Sequence, residues 1–335
     1  MTPEFTLLDQ LLRNAPNHSL WCADENVAGF MPSHFSGQII TNRYDLALGL
    51  CKHHPETLFN DFQLTECHRP LQEVIFRIAK EKAINIHIIQ QSLALLPQGG
   101  KLHLLGYKNE GIGSLNNFYS ETNAKIHRHK GQLFHIEIVS NGLFALKTDE
   151  YTPLQWIDSG QPGFYSKPGI FGWNKTDAGS ELMMQLFNQY QQNNTSARVL
   201  DLGCGYGYLS IMARQNGYTH IDATDNNAAA LLACQANFVH YQISGEVFPD
   251  DHGEYCQKRY DTILCNPPFH QGFGHHKNLT EIFVAQSEKL LSSGGQAWFV
   301  VNQFIGIEKI ADQHYKKCEL LAKKNGFKVF LFEKK

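Results

Sequence analysis

The sequence predicts an α/β protein of two tandem domains, each built on a mostly parallel sheet. Three observations predict it. The second half alternates short apolar strands with helices of ~10–15 residues, the rhythm of βαβ units whose sheet is covered on both faces. A glycine-rich turn, Gly203-Cys-Gly-Tyr-Gly207, leads directly from one of those strands into the next helix. And Leu95-Leu-Pro-Gln-Gly-Gly-Lys-Leu-His-Leu-Leu105 lines up with Leu290-Leu-Ser-Ser-Gly-Gly-Gln-Ala-Trp-Phe-Val300 at a constant offset of 195. Carried on to Ile112 and Ile307, the register gives six identities in 18 positions, both Gly-Gly turns among them. Each copy reads as a helix end, a glycine turn and an apolar strand, which points to an internal duplication.

Taken in order, the first half carries weaker signals. Ile84–Leu96 reads as a helix, Lys101–Gly106 as a strand and Gln132–Val139 as a late strand. A polar stretch from Lys147 to Trp156, containing Thr152-Pro153, marks a boundary and divides the chain into domains 1–148 and 149–335. Strands then follow at Arg198–Gly203, His220–Asp225, Tyr241–Gly245, Tyr260–Asn266, Gln296–Asn302 and Lys328–Phe332. Helices are expected from Tyr208 to Asn216, over the Ala/Leu-rich Asn227–Phe238 and from Asn278 to Leu291. Cys318–Lys323 fits helix and strand equally. The length of 335 residues suits two domains of about 150 each.

Composition excludes several classes. With 42% hydrophobic residues and unremarkable glycine and proline, the chain is neither disordered nor fibrous. Its strictly apolar runs, such as Ala297–Val301, fall far short of the ~20 residues of a membrane helix, and MTPEFTLLDQ lacks the basic start and apolar stretch of a signal peptide. A soluble cytoplasmic protein is expected, with no membrane partner. Eight scattered cysteines with no Cys-x-x-Cys pair read as reduced, mostly buried thiols. His53-His54 and His275-His276 stand apart from other ligand types at helical spacing, so no metal is expected.

A net charge of -3 argues against a strongly basic nucleic-acid binder, but the local distribution differs from the sum. Residues 316–335 hold seven lysines against two glutamates, and Lys125-Ile-His-Arg-His-Lys130 is a second basic stretch. Each reads as a solvated face or as a phosphate-contacting surface.

The glycine turn carries the first chemical signal. Glycines let the backbone approach a ligand and adopt positive φ, and the helix N-terminus supplies free N–H donors. The spacing Gly203-x-Gly205-x-Gly207 departs from the Gly-x-Gly-x-x-Gly of dinucleotide binders, and Asp201 just before it suits an ammonium group better than a pyrophosphate. Twenty residues after Gly205, Asp225 ends the next strand, where a carboxylate accepts bonds from both ribose hydroxyls. A ligand-free glycine turn would explain the glycines alone but not the two aspartates at consecutive strand ends.

Asn266-Pro-Pro-Phe269 carries the second, at the same edge of the sheet. An exocyclic amino group conjugated to a ring is a poor nucleophile because its lone pair is delocalised. The Asn266 side-chain oxygen and the Pro267 carbonyl accept its N–H bonds and turn the lone pair out of plane, while two prolines keep the acceptors rigid. Phe269 stacks on the planar group. Alignment alone recovers roughly 7–11 kcal/mol of a displacement barrier. In isolation Asn-Pro-Pro is merely a turn. Cys265, inside the strand, and Cys204, in the glycine turn, read as small core residues rather than nucleophiles.

Together Asp201, Gly203, Gly205, Gly207 and Asp225 resemble the S-adenosylmethionine site of class I methyltransferases, and Asn-Pro-Pro-Phe resembles the loop of amino-methyltransferases. The longer run Asn266-Pro-Pro-Phe-His-Gln-Gly272, with Pro162-Gly-Phe-Tyr-Ser166 and Asp177-Ala-Gly-Ser180 upstream, is similar to bacterial ribosomal RNA guanine-N2 methyltransferases, the small-subunit branch before the large-subunit one. The resemblance covers the second half well and the first mainly through Leu95–Gly113. It implies two Rossmann-like domains in tandem, each a mostly parallel seven-stranded sheet, the first degenerate and lacking both motifs. It further implies S-adenosylmethionine as cofactor, S-adenosylhomocysteine as product, and a guanine of 16S rRNA in the small ribosomal subunit as substrate. Carried over, Asn266, Pro267 and Phe269 hold guanine, and Asp201, Gly203, Gly205, Gly207 and Asp225 hold the cofactor. Asp177 and Ser180 line its methionine end, although helix capping explains them nearly as well. Two departures stand out: Ile170-Phe-Gly-Trp-Asn-Lys175 is inserted before Asp177, and Ser244-Gly-Glu246 supplies no evident adenine contact. A monomer is expected. The alternatives are a large-subunit enzyme, a glutamine-N5 protein methyltransferase, which usually carries tyrosine in place of Phe269, and a non-catalytic RNA-binding assembly factor.

Overall fold

The computed structural model describes residues 2–335 except 68–69, 116–122, 147–148, 161, 191–194 and 269–275, with backbone alone over 276–278. The chain forms two compact units, Met1–Pro153 and Leu154–Lys335. The expected boundary at 148/149 lies five residues earlier. The difference arises because Asp149 Oδ2 sits 2.7 Å from His87 Nδ1 and the buried Tyr151 hydroxyl bonds to Asp61, which ties this stretch into the first unit.

The first unit contains strands β1 (Ser19–Ala23), β2 (Gln38–Thr41), β3 (Leu58–Phe59), β4 (Glu73–Arg77), β5 (Lys101–Tyr107), β6 (Asn123–Arg128) and β7 (Leu133–Val139). Helices α1 (Pro3–Asn14), α2 (Tyr44–Cys51) and α3 (Lys82–Leu95) accompany them. The second begins with a two-stranded ribbon, β8 (Gln155–Ile157) and β9 (Phe164–Ser166). Its sheet consists of β10 (Arg198–Leu202), β11 (His220–Asp225), β12 (Val247–Pro249), β13 (Tyr260–Cys265), β14 (Leu291–Asn302), β15 (Lys317–Lys324) and β16 (Phe327–Glu333). Its helices are α4 (Ala178–Tyr190), α5 (Tyr208–Gln215), α6 (Ala228–His240), α7 (His276–Leu290) and α8 (Glu308–His314).

Both sheets have seven strands in one spatial order, third-second-first-fourth-fifth-seventh-sixth. The first five run parallel and the last two pairings are antiparallel. The sequence repeat falls on equivalent strands: Leu104 of β5 pairs with Phe76, and Phe299 of β14, 195 residues on, pairs with Cys265. Tandem domains of one topology are therefore present.

Period-two alternation across a doubly covered sheet explains the continuous apolar runs. Leu264, Trp298, Val300 and Val329 join the core shared with α4, α5 and α6, whereas Ile263, Cys265, Ala297, Phe299 and Phe330 join the opposite one. Fully burying each such side chain stabilises the fold by roughly 1.5–3 kcal/mol.

The third strand of the second sheet corrects the sequence reading. Tyr241–Gly245 is not a strand, because α6 runs on to His240 and Ile243 N–H bonds back to the Phe238 carbonyl with Gln242 at φ 51. The strand is Val247–Pro249, pairing with Ala223–Asp225. The ambiguous Cys318–Lys323 lies within β15, turned back onto β16 by Asn325 and Gly326 at φ 52 and 84, the positive pair that an Asn-Gly hairpin turn requires.

Candidate active site

The parallel strands β10, β11 and β13 end together at one edge of the second sheet, and the glycine turn occupies that edge. Gly203, Gly205 and Gly207 have φ of 78, 54 and 87. The N–H groups of Gly203 and Cys204 bond to the Thr224 carbonyl, and Gly207 N–H bonds to Cys204 O at 2.8 Å. A Cβ on Gly207 would lie 2.8 Å from Cys234 Sγ, whereas one on Gly205 would meet only Ile170, at 3.9 Å. Close packing therefore demands Gly207, while Gly205 faces open space, as a ligand-approach position does. The Cys204 and Cys265 thiols are buried and pushed well above their ordinary range by that burial, so neither supplies a thiolate.

Asp225 closes the turn from β11. Its Oδ2 accepts from Gly205 N–H and its Oδ1 from Asn227 N–H, both at 2.9 Å. Each oxygen retains a second lone pair, so the carboxylate can accept two further donors from a ligand. Asp201 is wholly buried in β10. Its Oδ2 accepts from the backbone and hydroxyl of Ser210 at 3.0 and 2.7 Å, and its Oδ1 has no partner. Burial pushes its pKa up to about 7, against the bonds from Ser210.

Asn266 follows β13. Its Nδ2 donates to Asp177 Oδ2 at 2.9 Å and to Ser180 Oγ at 2.8 Å. Asp177 also accepts from Ser180 N–H at 2.8 Å, in the manner of a helix cap at the start of α4. The pair therefore caps α4 and holds the Asn266 amide at once. A carboxylate only accepts, so the amide nitrogen faces Asp177 and the oxygen faces away. That Oδ1 is buried without a partner. Pro267 behind it is buried and Pro268 exposed, while Phe269 lies outside the described residues.

Three features surround the turn, and only the last of them escaped the sequence reading. The inserted stretch packs on the glycine turn: Ile170 is buried against Gly205, the Tyr206 hydroxyl bonds to Lys175 O at 3.3 Å, and Asn227 Nδ2 bonds to Gly169 O at 3.2 Å. Pro162-Gly-Phe-Tyr-Ser166 leads into β9, whose Tyr165 backbone bonds to Asn237 of α6 and whose Phe164 stacks flat on Tyr206, while the Tyr241 hydroxyl, just after α6, bonds to Gly163 O. The third is Asp250, directly after β12, buried and with its N–H bonded to Asp225 O at 3.1 Å. Placing the third strand at Val247 instead of Tyr241 would have exposed Asp250 as its terminal carboxylate.

Among the described residues, the first unit carries other side chains at the equivalent positions. By strand register, Trp21, Thr41 and Arg77 take the places of Asp201, Asp225 and Asn266. Trp21 is wholly buried, and Arg77 is held by Glu110 at 2.5 Å.

Among the described residues no group of three or more His, Cys, Asp or Glu could hold a metal ion, and His275 lies outside them. No described helix is long and apolar enough to cross a membrane. None of the eight cysteines is joined in a disulfide, and of the eight Cys51 alone is exposed. Residues 161–331 match the family model of the methyltransferase small domain. The chain is 29% identical to ribosomal RNA small subunit methyltransferase C of Pasteurella multocida over 275 residues, 81% of this chain and 82% of that one. It is 28% identical to the protein of the same name from Erwinia tasmaniensis, over 77% of this chain and 74% of that one. Among solved structures, the 16S rRNA N2 G1207 methyltransferase (RsmC) of T. thermophilus, in complex with AdoMet and guanosine, is similar in fold. Its TM-score is 0.81 at 19% identity, over all of this chain and 92% of that one.

Proposed function

The chain belongs to the methyltransferase small domain family, and on that premise we propose that it transfers a methyl group from S-adenosylmethionine to the exocyclic N2 of a guanine in 16S rRNA, in the small ribosomal subunit. The observation that carries this reading is the orphaned, buried Oδ1 of Asn266, an acceptor held in place with nothing to accept. Leaving such an atom unpaired costs about 1–3 kcal/mol, which a substrate N–H restores.

The residues present fit the cofactor. The unpartnered Asp201 Oδ1 suits an ammonium group, the spare lone pairs of Asp225 suit a ribose diol, and the space at Gly205 admits a ligand against the backbone. Gly203 and Gly207 shape the turn, Asp177 and Ser180 line the methionine end, and the carboxylate of Asp250 suits an adenine amino group. When bound, S-adenosylmethionine supplies an electrophilic methyl group, leaving S-adenosylhomocysteine.

The protein's own task is alignment. Asn266 Oδ1 and the Pro267 carbonyl accept the two N–H bonds of the guanine amino group, which orients its lone pair away from the ring plane. Phe269 stacks on the base. Positioning recovers roughly 7–11 kcal/mol of the displacement barrier, and the methylated nitrogen would release its surplus proton to water, giving the neutral N2-methylguanine. An unpaired or flipped guanine is required, since N2 is inaccessible to this chemistry inside a duplex. The exposed Lys125, Arg128 and Lys130 of the β6 segment contact RNA phosphates, and the chain acts as a cytoplasmic monomer.

The test is methyl transfer from labelled S-adenosylmethionine to small subunits lacking the modification, to free 16S rRNA and to release-factor protein. Label recovered as N2-methylguanosine is expected. Label in protein would install glutamine-N5 methylation instead, and cofactor binding without transfer would leave an assembly factor.

A further inference from the structure

The active-site edge of the second sheet continues beyond the pocket into a surface that no step above uses. β14 lies parallel to β13 with Cys265 opposite Phe299, so Asn302 emerges at the edge where Asn266 emerges, one strand away. The neighbouring strand spacing is about 4.8 Å. There the chain turns outward, with Phe304 N–H bonded to Asn302 Oδ1 at 3.1 Å and Gln303 N–H bonded to Gly326 O at 2.8 Å. The Phe304 side chain is 86% exposed, the most exposed large hydrophobic side chain among the described residues.

The second of those bonds ties Gln303, the residue before Phe304, to the β15–β16 hairpin. Its tip carries Lys323 and Lys324, opposite Lys328 and Phe327. Both lysines are exposed and neither forms a salt bridge among the described residues, although Lys323 lies in the field of Glu308. Lys328, by contrast, is taken up by Glu308 at 2.7 Å. The Asn-Gly turn closes the tip, and Phe327 packs so closely on Gly179 that a Cβ there would clash at 2.7 Å. Gly179 sits between Asp177 and Ser180, the two residues that hold Asn266. The exposed ring and the two cations are therefore mounted on the same frame as the reacting loop.

We propose that Phe304, Lys323 and Lys324 form a landing surface for single-stranded RNA flanking the target guanine, Phe304 stacking on a neighbouring base and the lysines meeting the backbone phosphates. This deepens the function proposed above and rests on it. An exposed phenylalanine by itself signals nothing; an aromatic face near cations that form no salt bridge, at the edge that carries the reacting loop, is the combination that binds single strands without reading sequence. A protein partner would favour an apolar patch with few lysines, which this edge does not provide.

The test uses the full chain in two assays: methyl transfer to unmodified small subunits, and filter binding of a single-stranded RNA of about 12 nucleotides, within the span such sites cover. Phe304→Ala should raise KM for the subunit and Kd for the RNA by roughly 5- to 150-fold, the range of one lost base stack, with cofactor affinity unchanged. Phe304→Trp should restore both and Phe304→Leu should not, which separates stacking from mere bulk. Lys323→Ala with Lys324→Ala should flatten the slope of log Kd against log salt by about 1.4. Variants matching the parent in KM, Kd and salt slope, while the parent methylates subunits, would overturn this surface alone. A parent that binds RNA through Phe304 yet transfers no methyl group would overturn the proposed reaction and keep the surface. A parent that does neither would overturn both.

Discussion

Asn266 Nδ2 lies 2.9 Å from Asp177 Oδ2, a bond between residues 89 positions apart that determines which way the Asn266 amide faces. The acceptor-only carboxylate takes the NH2 end, and the carbonyl end is left for a substrate donor. Asp177 is thus a positioning residue for Asn266. Asp177→Asn should let the amide flip and lower kcat by about 10²-fold, as small misplacements do, with KM for RNA little changed. Asn266→Ala should abolish transfer while leaving cofactor affinity within a few-fold of the parent. Single-turnover assays and calorimetry separate the two effects.

Proton linkage at Asp201 gives a second prediction. Burial raises its pKa from 3.8 to about 7 in the ligand-free chain, so the folded state holds a proton that the unfolded state has released. The contribution of Asp201 to the stability of the free protein should accordingly fall as pH rises from about 4 through 7, by about 1.4 kcal/mol per unit at most, and the buried Asp24, also raised to about 7, adds to it in the same direction. A cationic ligand favours the carboxylate, so affinity for S-adenosylmethionine should rise over the same window and level off above it. Proton release on binding, read by calorimetry in buffers of differing ionisation heat, checks the sign. Asp201→Asn should flatten the pH dependence of cofactor affinity and leave the contribution of Asp24 to stability in place.

Asp225 organises the turn and retains acceptor capacity for a ligand. Its replacement by alanine should weaken cofactor binding by 10²-fold or more, since a bond to a charged acceptor contributes about 1.5–3 kcal/mol. The RNA affinity of this variant should match the parent in filter binding.

The glycines of the turn should respond differently to one added methyl group. Gly207→Ala places a Cβ against Cys234 and should cost folding stability, a few kcal/mol including the left-handed backbone, seen as a lowered Tm. Gly205→Ala has room and should lose only about 1–2 kcal/mol of stability. Its larger deficit should appear in cofactor binding.

Cofactor should bind once per chain. Trp21 fills the register position of Asp201 with a buried indole, and the Arg77–Glu110 pair occupies that of Asn266. Calorimetric titration with S-adenosylhomocysteine should give one site, and Asp225→Ala should weaken that single transition.

Several layers of this protein were legible in its residues. The alternation of strand and helix in the second half, the glycine turn, Asp225 twenty residues after Gly205 and the Asn-Pro-Pro loop are local patterns, and local backbone chemistry dictates them. The repeat at an offset of 195 foretold equal topology because a glycine turn before a buried strand survives even where the site does not. In the first unit β1, β2 and β4 escaped notice, for strands of four or five residues have too few positions to show a period. Cys318–Lys323 became a strand only through pairing with β16, and Tyr241–Gly245 ceased to be one because α6 took its first residues into the helix end. The meeting of Asn266 with Asp177 and Ser180, and the bond that ties Gln303 to the β15–β16 turn, lie further still from sequence. They join segments that share no spacing rule, so only the packing of α4 and the β15–β16 hairpin against one sheet edge decides which side chain faces which.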